Sequence, residues 1–341
     1  MPPKALRAVL RLLAALLLMA LAIWIVGPER LARQWSQVDR GWFLGAVATA
    51  ALAQAISVLR WAAIARVFGL RVRTRALALA YAQGMTLNVL LPGATLGGDA
   101  LRSVRLQGLG NPLGLSALSV LLDRLSGLWV LCALSLLTGL ALATALGADT
   151  LAGAVLRQAG ASGLPSWIDP AQLVWGYLAA LALACALPWL PVPLRRPGAS
   201  ASEGAAEGRL ARLWRRLGEL HALAIAQRRP LARSLWVSVL VQVLSAATLW
   251  LCVLAAGGRA GYWQVQAVAA PVFVAGALPL SYGGFGAREL AALAAFPLVG
   301  VPADVGLAAS VLYGFVAVTL GLLAAPSFAV GARGAPTAPG R

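Results

Sequence analysis

Apolar residues run along this chain in long blocks, and short polar segments rich in arginine separate the blocks. Blocks of about 17 to 25 residues match the length a helix needs to cross roughly 30 Å of hydrocarbon. Runs such as LRLLAALLLMALAIWIVG show no alternation of the kind a membrane-barrel strand requires, and they are rich in Leu and Ala, which favour helix. The pattern predicts an all-α polytopic bundle: one transmembrane domain over residues 1–333, with a disordered tail at 334–341.

Continuous spans are expected at 8–27, 41–64, 116–146, 171–192, 234–256 and 304–330. Two further stretches, 76–114 and 261–303, hold apolar arms interrupted by related phrases, LPGATLGGDALR at Leu91–Arg102 and LPLSYGGFGARE at Leu278–Glu289. Each phrase runs Leu-Pro, a Gly pair, then charge. In lipid an unwound backbone must be covered by protein or face a water-filled cavity, so such breaks mark a site.

Arginine-rich loops stay cytoplasmic, which orients the chain. Lys4 and Arg7, then Arg66, Arg71, Arg73 and Arg75, then the basic loop 195–233, all fall on one side if the interrupted stretches are re-entrant or broken hairpins. Both termini are then cytoplasmic. Each half reads span, span, broken hairpin, span, and the halves have opposite topology: repeat 1 over about 8–147, repeat 2 over about 171–330. The first block follows Lys4, Arg7 and Arg11 as a secretory leader would, but IWIVGPER lacks a small-x-small cleavage pattern and a retained span is expected.

Composition agrees with a lipid-embedded chain: 60% of residues are hydrophobic and 11% charged, with mean hydropathy +0.82, outside the soluble balance. The net charge of +17 raises nucleic acid as a partner. Because the basic residues lie in loops between apolar spans, orientation and anionic lipid account for them, and no nucleic-acid partner is expected. Cys132, Cys185 and Cys252 lie inside apolar spans without zinc or redox spacing, and the single histidine, His221, lies in a polar loop. No metal or other cofactor is expected.

Tryptophan favours the headgroup level, which places Trp24, Trp35, Trp42, Trp167, Trp175 and Trp263 at outer boundaries and Trp61, Trp189 and Trp236 at inner ones, with Trp129 packed inside a span. Within the basic loop, a flexible PGASASEGAAEG precedes an amphipathic helix at 209–229. That helix would lie on anionic headgroups or dock on the bundle.

Chemistry must come from charges that lipid normally excludes, each costing about 2.5 to 3.5 kcal/mol or more at the centre of a lone helix. These are Asp99, Arg102 and Arg105 in the first hairpin, Asp123 and Arg124 in the span after it, and Arg288 with Glu289 in the second hairpin. Gly97, Gly98, Gly283 and Gly284 would expose N–H groups at the start of helical arms, which attract phosphate. Together with Arg102, Arg288 and the Asn88 amide they would make a pocket for an anionic headgroup near mid-membrane. A second reading stands beside it: Asp99–Arg102, Asp123 with Arg124 or Arg105, and Glu289–Arg288 are ion pairs that hold the hairpins in place. Neighbours on a helix point apart, so Asp123 and Arg124 are expected to find partners on other elements.

NVLLPGATLGGDALR, DRLSGL and LPLSYGGFGARE resemble, in this order, the hallmark segments of the lysylphosphatidylglycerol synthase transmembrane, or flippase-like, family. The resemblance spans roughly residues 40–330. It maps the first motif to Asn88, Pro92, Gly97, Gly98, Asp99 and Arg102, the second to Asp123 and Arg124, and the third to Gly283, Gly284, Gly286, Arg288 and Glu289. Larger members, the multiple peptide resistance factors, add a soluble aminoacyl-transfer domain after such a membrane region, and the chain ending at Arg341 leads us to expect none here.

The resemblance implies lipid translocation, not lysyl transfer: a non-enzymatic flippase moving an anionic or aminoacylated phospholipid, or a polyprenyl-linked headgroup, across the cytoplasmic membrane. Two alternatives remain open at this stage. One is a lipid-modifying transferase with Asp99, Asp123 or Glu289 as general base. The other is a scaffold docking through its basic loop. Membrane lipids are the expected partners, with a homo-oligomer or a lipid-synthesis enzyme as further candidates.

Overall fold

The computed structural model describes residues 29, 38–90, 95–147, 150–151, 153, 170–187, 228–278 and 284–332. Its helices are α1 (Arg40–Val67), α2 (Thr74–Leu90), α3 (Thr95–Gly108), α4 (Leu113–Leu146), α5 (Pro170–Ala186), α6 (Arg228–Ala255), α7 (Tyr262–Ala277), α8 (Ala287–Ala295), α9 (Ala303–Ala324) and α10 (Ser327–Ala332). A 3₁₀ turn at Phe296–Val299 follows α8. Four helical stretches are long and apolar enough to cross a membrane: Arg40–Val67, Leu113–Leu146, Ser234–Ala255 and Ala303–Ala329. The expected span 8–27, residues 209–227 of the amphipathic helix, and the tail 334–341 lie outside the described residues.

Helix boundaries follow local chemistry. Asp39 caps α1, its carboxylate accepting from the N–H groups of Gly41 at 2.7 Å and Trp42 at 3.1 Å, while its own N–H bonds to Ala255 O at 2.9 Å and ties the start of α1 to the end of α6. α7 opens with Gln264 accepting from the Gly261 N–H, and α8 with Glu289 accepting from the Gly286 N–H. The expected span 304–330 is interrupted. Pro326 has no N–H to return to Leu322, whose carbonyl accepts from Ala325 instead, and the chain restarts as α10. With 34 residues, α4 is about 51 Å long and outreaches the hydrocarbon layer.

Packing is organised around α1 against α6, the most extensive helix pair. α3 packs on α4, and α8 on α9. α2 lies on α9, and α7 on α4. The two largest apolar clusters among the described residues divide similarly: one joins Trp61, Ile64, Leu77, Leu106 and Leu118 of α1 to α4, and the other joins Leu249, Val268, Val272, Phe296 and Leu312 of the second half to Ala46 and Ala50 of α1.

α7 carries Pro271 in mid-helix, which removes one ladder bond and crowds the carbonyl of Ala267. Neighbouring helices repair the damage. The Tyr177 hydroxyl on α5 donates to Ala267 O. On α4, Ser135 Oγ is inserted between the Ala270 N–H, from which it accepts at 3.2 Å, and Gln266 O, to which it donates at 2.8 Å. The Ala267 carbonyl that Pro271 deprives of its ladder partner is thereby satisfied by protein, as the apolar interior demands, and Ser135 braces the turn before it.

One aromatic expectation changes. Trp61, expected at the headgroup level, is fully enclosed (0% exposed), its indole N–H donating to Ser119 Oγ at 3.2 Å. It has a partner inside that a one-dimensional boundary does not reveal. Trp42, Trp175, Trp236 and Trp263 are exposed on the bundle surface. Trp24, Trp35, Trp167 and Trp189 lie outside the described residues.

Candidate functional site

The site starts from two helix crossings that need glycine. Where α2 meets α3, a Cβ on Gly98 would run into the Asn88 side chain and the Gly84 carbonyl, and one on Gly84 would sit 3.2 Å from Gly98 O and 3.3 Å from Arg102 Cδ. Where α7 meets the chain leading into α8, Gly284 has φ +84° and a Cβ there would lie 3.0 Å from Gly276 O, while one on Gly276 would meet Arg288 Cδ at 3.4 Å. The same unit occurs twice: a glycine on the first arm, a glycine before or within the second, and an arginine four residues after that second glycine, folded over the first.

Around Arg102 the charges form one connected network across four helices. Asp123, 1% exposed, accepts from Arg60 Nε through Oδ1 at 2.9 Å and from Arg102 Nη2 through Oδ2 at 2.9 Å. Asp99 accepts from Arg102 Nη1 at 3.3 Å, and pairs with Arg124 through Nη2 at 2.9 Å and Nε at 3.0 Å. Arg60 also reaches Ser238 Oγ on α6 at 3.4 Å. Gly127, one turn after Asp123, leaves room for it, since a Cβ there would fall 2.9 Å from Arg60 Nη1. The Arg102 guanidinium lies over Trp61 at 4.0 Å and Tyr81 at 4.6 Å from the ring centroids, so its remaining face is covered by π-clouds.

A second cluster surrounds Arg288. Its Nε and Nη2 donate to Glu289 Oε1, at 3.2 and 2.9 Å, and Nε also reaches Ser310 Oγ on α9 at 3.2 Å. Ser310 in turn donates to Glu289 Oε1 at 3.1 Å, and the guanidinium lies near Phe285 and Tyr313. Arg288 is 4% and Glu289 0% exposed. Adjacent residues pair here because Glu289 sits in the first turn of α8, capping it with the other oxygen.

Between these crossings lies a cavity of about 180 Å³. Tyr81, Gly84 and Asn88 of α2, Arg102 and Arg124 of the network, and Gly276 of α7 line it, with Ala317 and Leu320 of α9 opposite. Donor side chains and aliphatic groups share the lining, a mixture that suits a group charged at one end and greasy at the other.

The transmembrane-region family of lysylphosphatidylglycerol synthase matches residues 8–325. The chain belongs to that family. Comparison with curated proteins gives no match. Membership places the chain among membrane proteins concerned with lipid.

In this member of the family, the residues that the sequence singles out have separate fates. Asn88, Gly98, Asp99, Arg102, Asp123 and Arg124 come together; Gly284, Arg288 and Glu289 make the second cluster; Gly283 and Pro92 lie outside the described residues. Arg105 is exposed and sits apart from the network. Gly97 is half-buried at the start of α3. The Gly98 N–H, expected to face a ligand, is taken by Asn88 Oδ1 at 3.0 Å, which uses one expected contact to satisfy the other. As expected, Asp123 and Arg124 find partners on other elements.

Arg60 was absent from the sequence selection. A single charge inside the block 41–64 meets the same criterion that picks out Asp123, so the sequence did carry a signal for it. Gly84, Gly276 and Tyr81 carry no such signal, because their roles exist only where two distant segments touch.

Proposed function

We propose that this chain is a lipid translocase of the cytoplasmic membrane, passing an anionic headgroup between two opposed hairpins while the acyl chains stay in lipid. The observation that carries the reading is the cavity between the α2/α3 and α7/α8 crossings, lined by Arg102 and Arg124 and rimmed by glycines from both. Guanidinium forks match phosphate oxygens, and a partly enclosed site weakens screening by water.

In this reading α2/α3 and α7/α8 are broken hairpins entering from opposite faces, and the halves are inverted repeats. The helix contacts support it: exchanging α1, α2, α3 and α4 for α6, α7, α8 and α9 maps α2 on α9 onto α7 on α4, α3 on α4 onto α8 on α9, and α1 on α6 onto itself. Gly84, Gly98 and Arg102 then correspond to Gly276, Gly284 and Arg288. Both termini would be cytoplasmic by the distribution of arginines.

We read the activity as movement rather than chemistry on the lipid. Asp99, Asp123 and Glu289, the candidate bases, are each engaged in an ion pair with an arginine. Association with a second copy or with a lipid-synthesis enzyme fits the same role.

The test is leaflet exchange of labelled phosphatidylglycerol in proteoliposomes carrying the purified chain. Exchange above protein-free vesicles, lost in Arg102→Ala and Arg124→Ala, is the expected result. No exchange of phosphatidylglycerol, of an aminoacylated phospholipid or of a polyprenyl phosphate overturns it.

A further inference from the structure

The two clusters differ in charge although they share a plan. Arg60, Arg102 and Arg124 face two carboxylates, Asp99 and Asp123, leaving the first network at +1. Arg288 and Glu289 cancel. The hairpin segments outside the described residues, 91–94 and 279–283, contribute nothing to the count, since LPGA and PLSYG carry no charged side chain. Among the described residues the network beside the cavity therefore holds one positive charge in excess. Two of its arginines, Arg102 and Arg124, line the cavity, where an arriving anion can meet that excess.

The carboxylates are not equivalent. Asp123 is sealed, with one oxygen on each of two arginines. The Asp99 side chain is 19% exposed, and its partner Arg124 is 41% exposed. Asp99 is also the one carboxylate shared by both arginines that line the cavity. An anion entering there meets Arg102 and Arg124 in competition with Asp99. Arg102 Nε is buried and has no hydrogen-bond partner among the described residues, which leaves it as a further donor.

We propose that the cavity is built for a single monoanionic phosphodiester group, and that Asp99 is the specificity-determining residue that fixes this valence. The proposal rests on the translocase reading and narrows it to lipids such as phosphatidylglycerol. One negative charge brings the site to neutrality. A doubly ionised phosphomonoester leaves an excess negative charge beside Asp99, a zwitterion leaves the positive charge unmet, and a cationic aminoacyl headgroup adds to it. The volume agrees: about 180 Å³ is below the roughly 300–1,000 Å³ of pockets for drug-sized ligands and is enough for a phosphodiester.

The experiment is native mass spectrometry of the full chain in detergent, titrated with phosphatidylglycerol, with phosphatidic acid above its second ionisation, and with phosphatidylcholine. Dimethyl phosphate serves as a soluble competitor. For the natural sequence we expect phosphatidylglycerol to be retained about tenfold better than either other lipid, and no competition from dimethyl phosphate. Asp99→Asn raises the wall charge to +2 and should move the preference about tenfold toward phosphatidic acid, while Arg124→Gln lowers it to zero and should abolish the advantage over phosphatidylcholine.

Equal retention of the three lipids by the natural sequence overturns the proposal, a readout that needs no variant to fold. An unchanged lipid order in a folded Asp99→Asn protein also overturns it, and effective competition by dimethyl phosphate overturns the assignment to a lipid. Leaflet exchange is scored separately: selective retention without exchange sinks the translocase reading alone, and exchange without selectivity sinks the valence rule alone.

Discussion

Removing the carboxylate of Asp123 should damage this bundle more than removing either arginine it holds, and the geometry gives the size. Asp123→Asn takes the charged partner from Arg60 and Arg102 together, at a residue only 1% exposed. Arg102 keeps Asp99 at 3.3 Å. Among the described residues Arg60 keeps no carboxylate, and is left with neutral acceptors: the Ser238 hydroxyl at 3.4 Å and the amide oxygen of the substituted side chain. Breaking a buried ion pair from one side costs about 3–5 kcal/mol, because the remaining charge stays buried and unpaired, and most of that cost falls on Arg60.

Arg60→Gln should cost less, about 1.5–3 kcal/mol, since Asp123 retains Arg102 and loses one charged hydrogen bond. In the Asp123→Asn background the same change should cost little, giving a coupling of about 2 kcal/mol. Reversible unfolding in mixed dodecylmaltoside–SDS micelles, followed by tryptophan fluorescence, measures all four corners of the cycle. Additivity to within about 0.5 kcal/mol would refute a shared network. So would an Asp123→Asn cost below about 1 kcal/mol, because the charge would then be solvated.

Other expectations rest on backbone contacts. Gly98→Ala should destabilise by about 1–3 kcal/mol through overpacking against the Gly84 carbonyl, and by more than Gly84→Ala, whose Cβ would stand 3.2 Å from the Gly98 carbonyl and 3.3 Å from the movable Arg102 side chain; the reverse order in the same micelle assay contradicts the α2/α3 crossing. Tyr177→Phe should cost about 1 kcal/mol by stranding Ala267 O, and almost nothing in a Pro271→Ala background, where the restored N–H takes over that carbonyl; an equal cost in both backgrounds refutes the repair. Ser135→Ala should cost about 1–3 kcal/mol by leaving the Ala270 N–H and Gln266 O unbridged, and amide exchange at Ala270 should quicken; unchanged exchange would mean the ladder closes by itself.

Sequence alone determined the solvent, the helical class and the stretches where α2 and α7 end, though not the interruption at Pro326. Those properties belong to stretches of neighbouring residues: hydropathy summed over a span, proline without an N–H, a Gly pair followed by charge. It also identified most of the unusual charges, since Asp99, Arg102, Asp123, Arg124, Arg288 and Glu289 each stand out against an apolar background. Tertiary structure decided what those charges do. Arg60 meets Asp123 across 63 positions and Trp61 encloses Arg102 from another helix, while the Gly98 N–H is spent on Asn88. Such contacts join side chains from helices that are independent in one dimension. Their partners are set by which helix faces pack together, and a hydropathy pattern that scores a lone arginine within an apolar span as a small blemish carries no record of that packing.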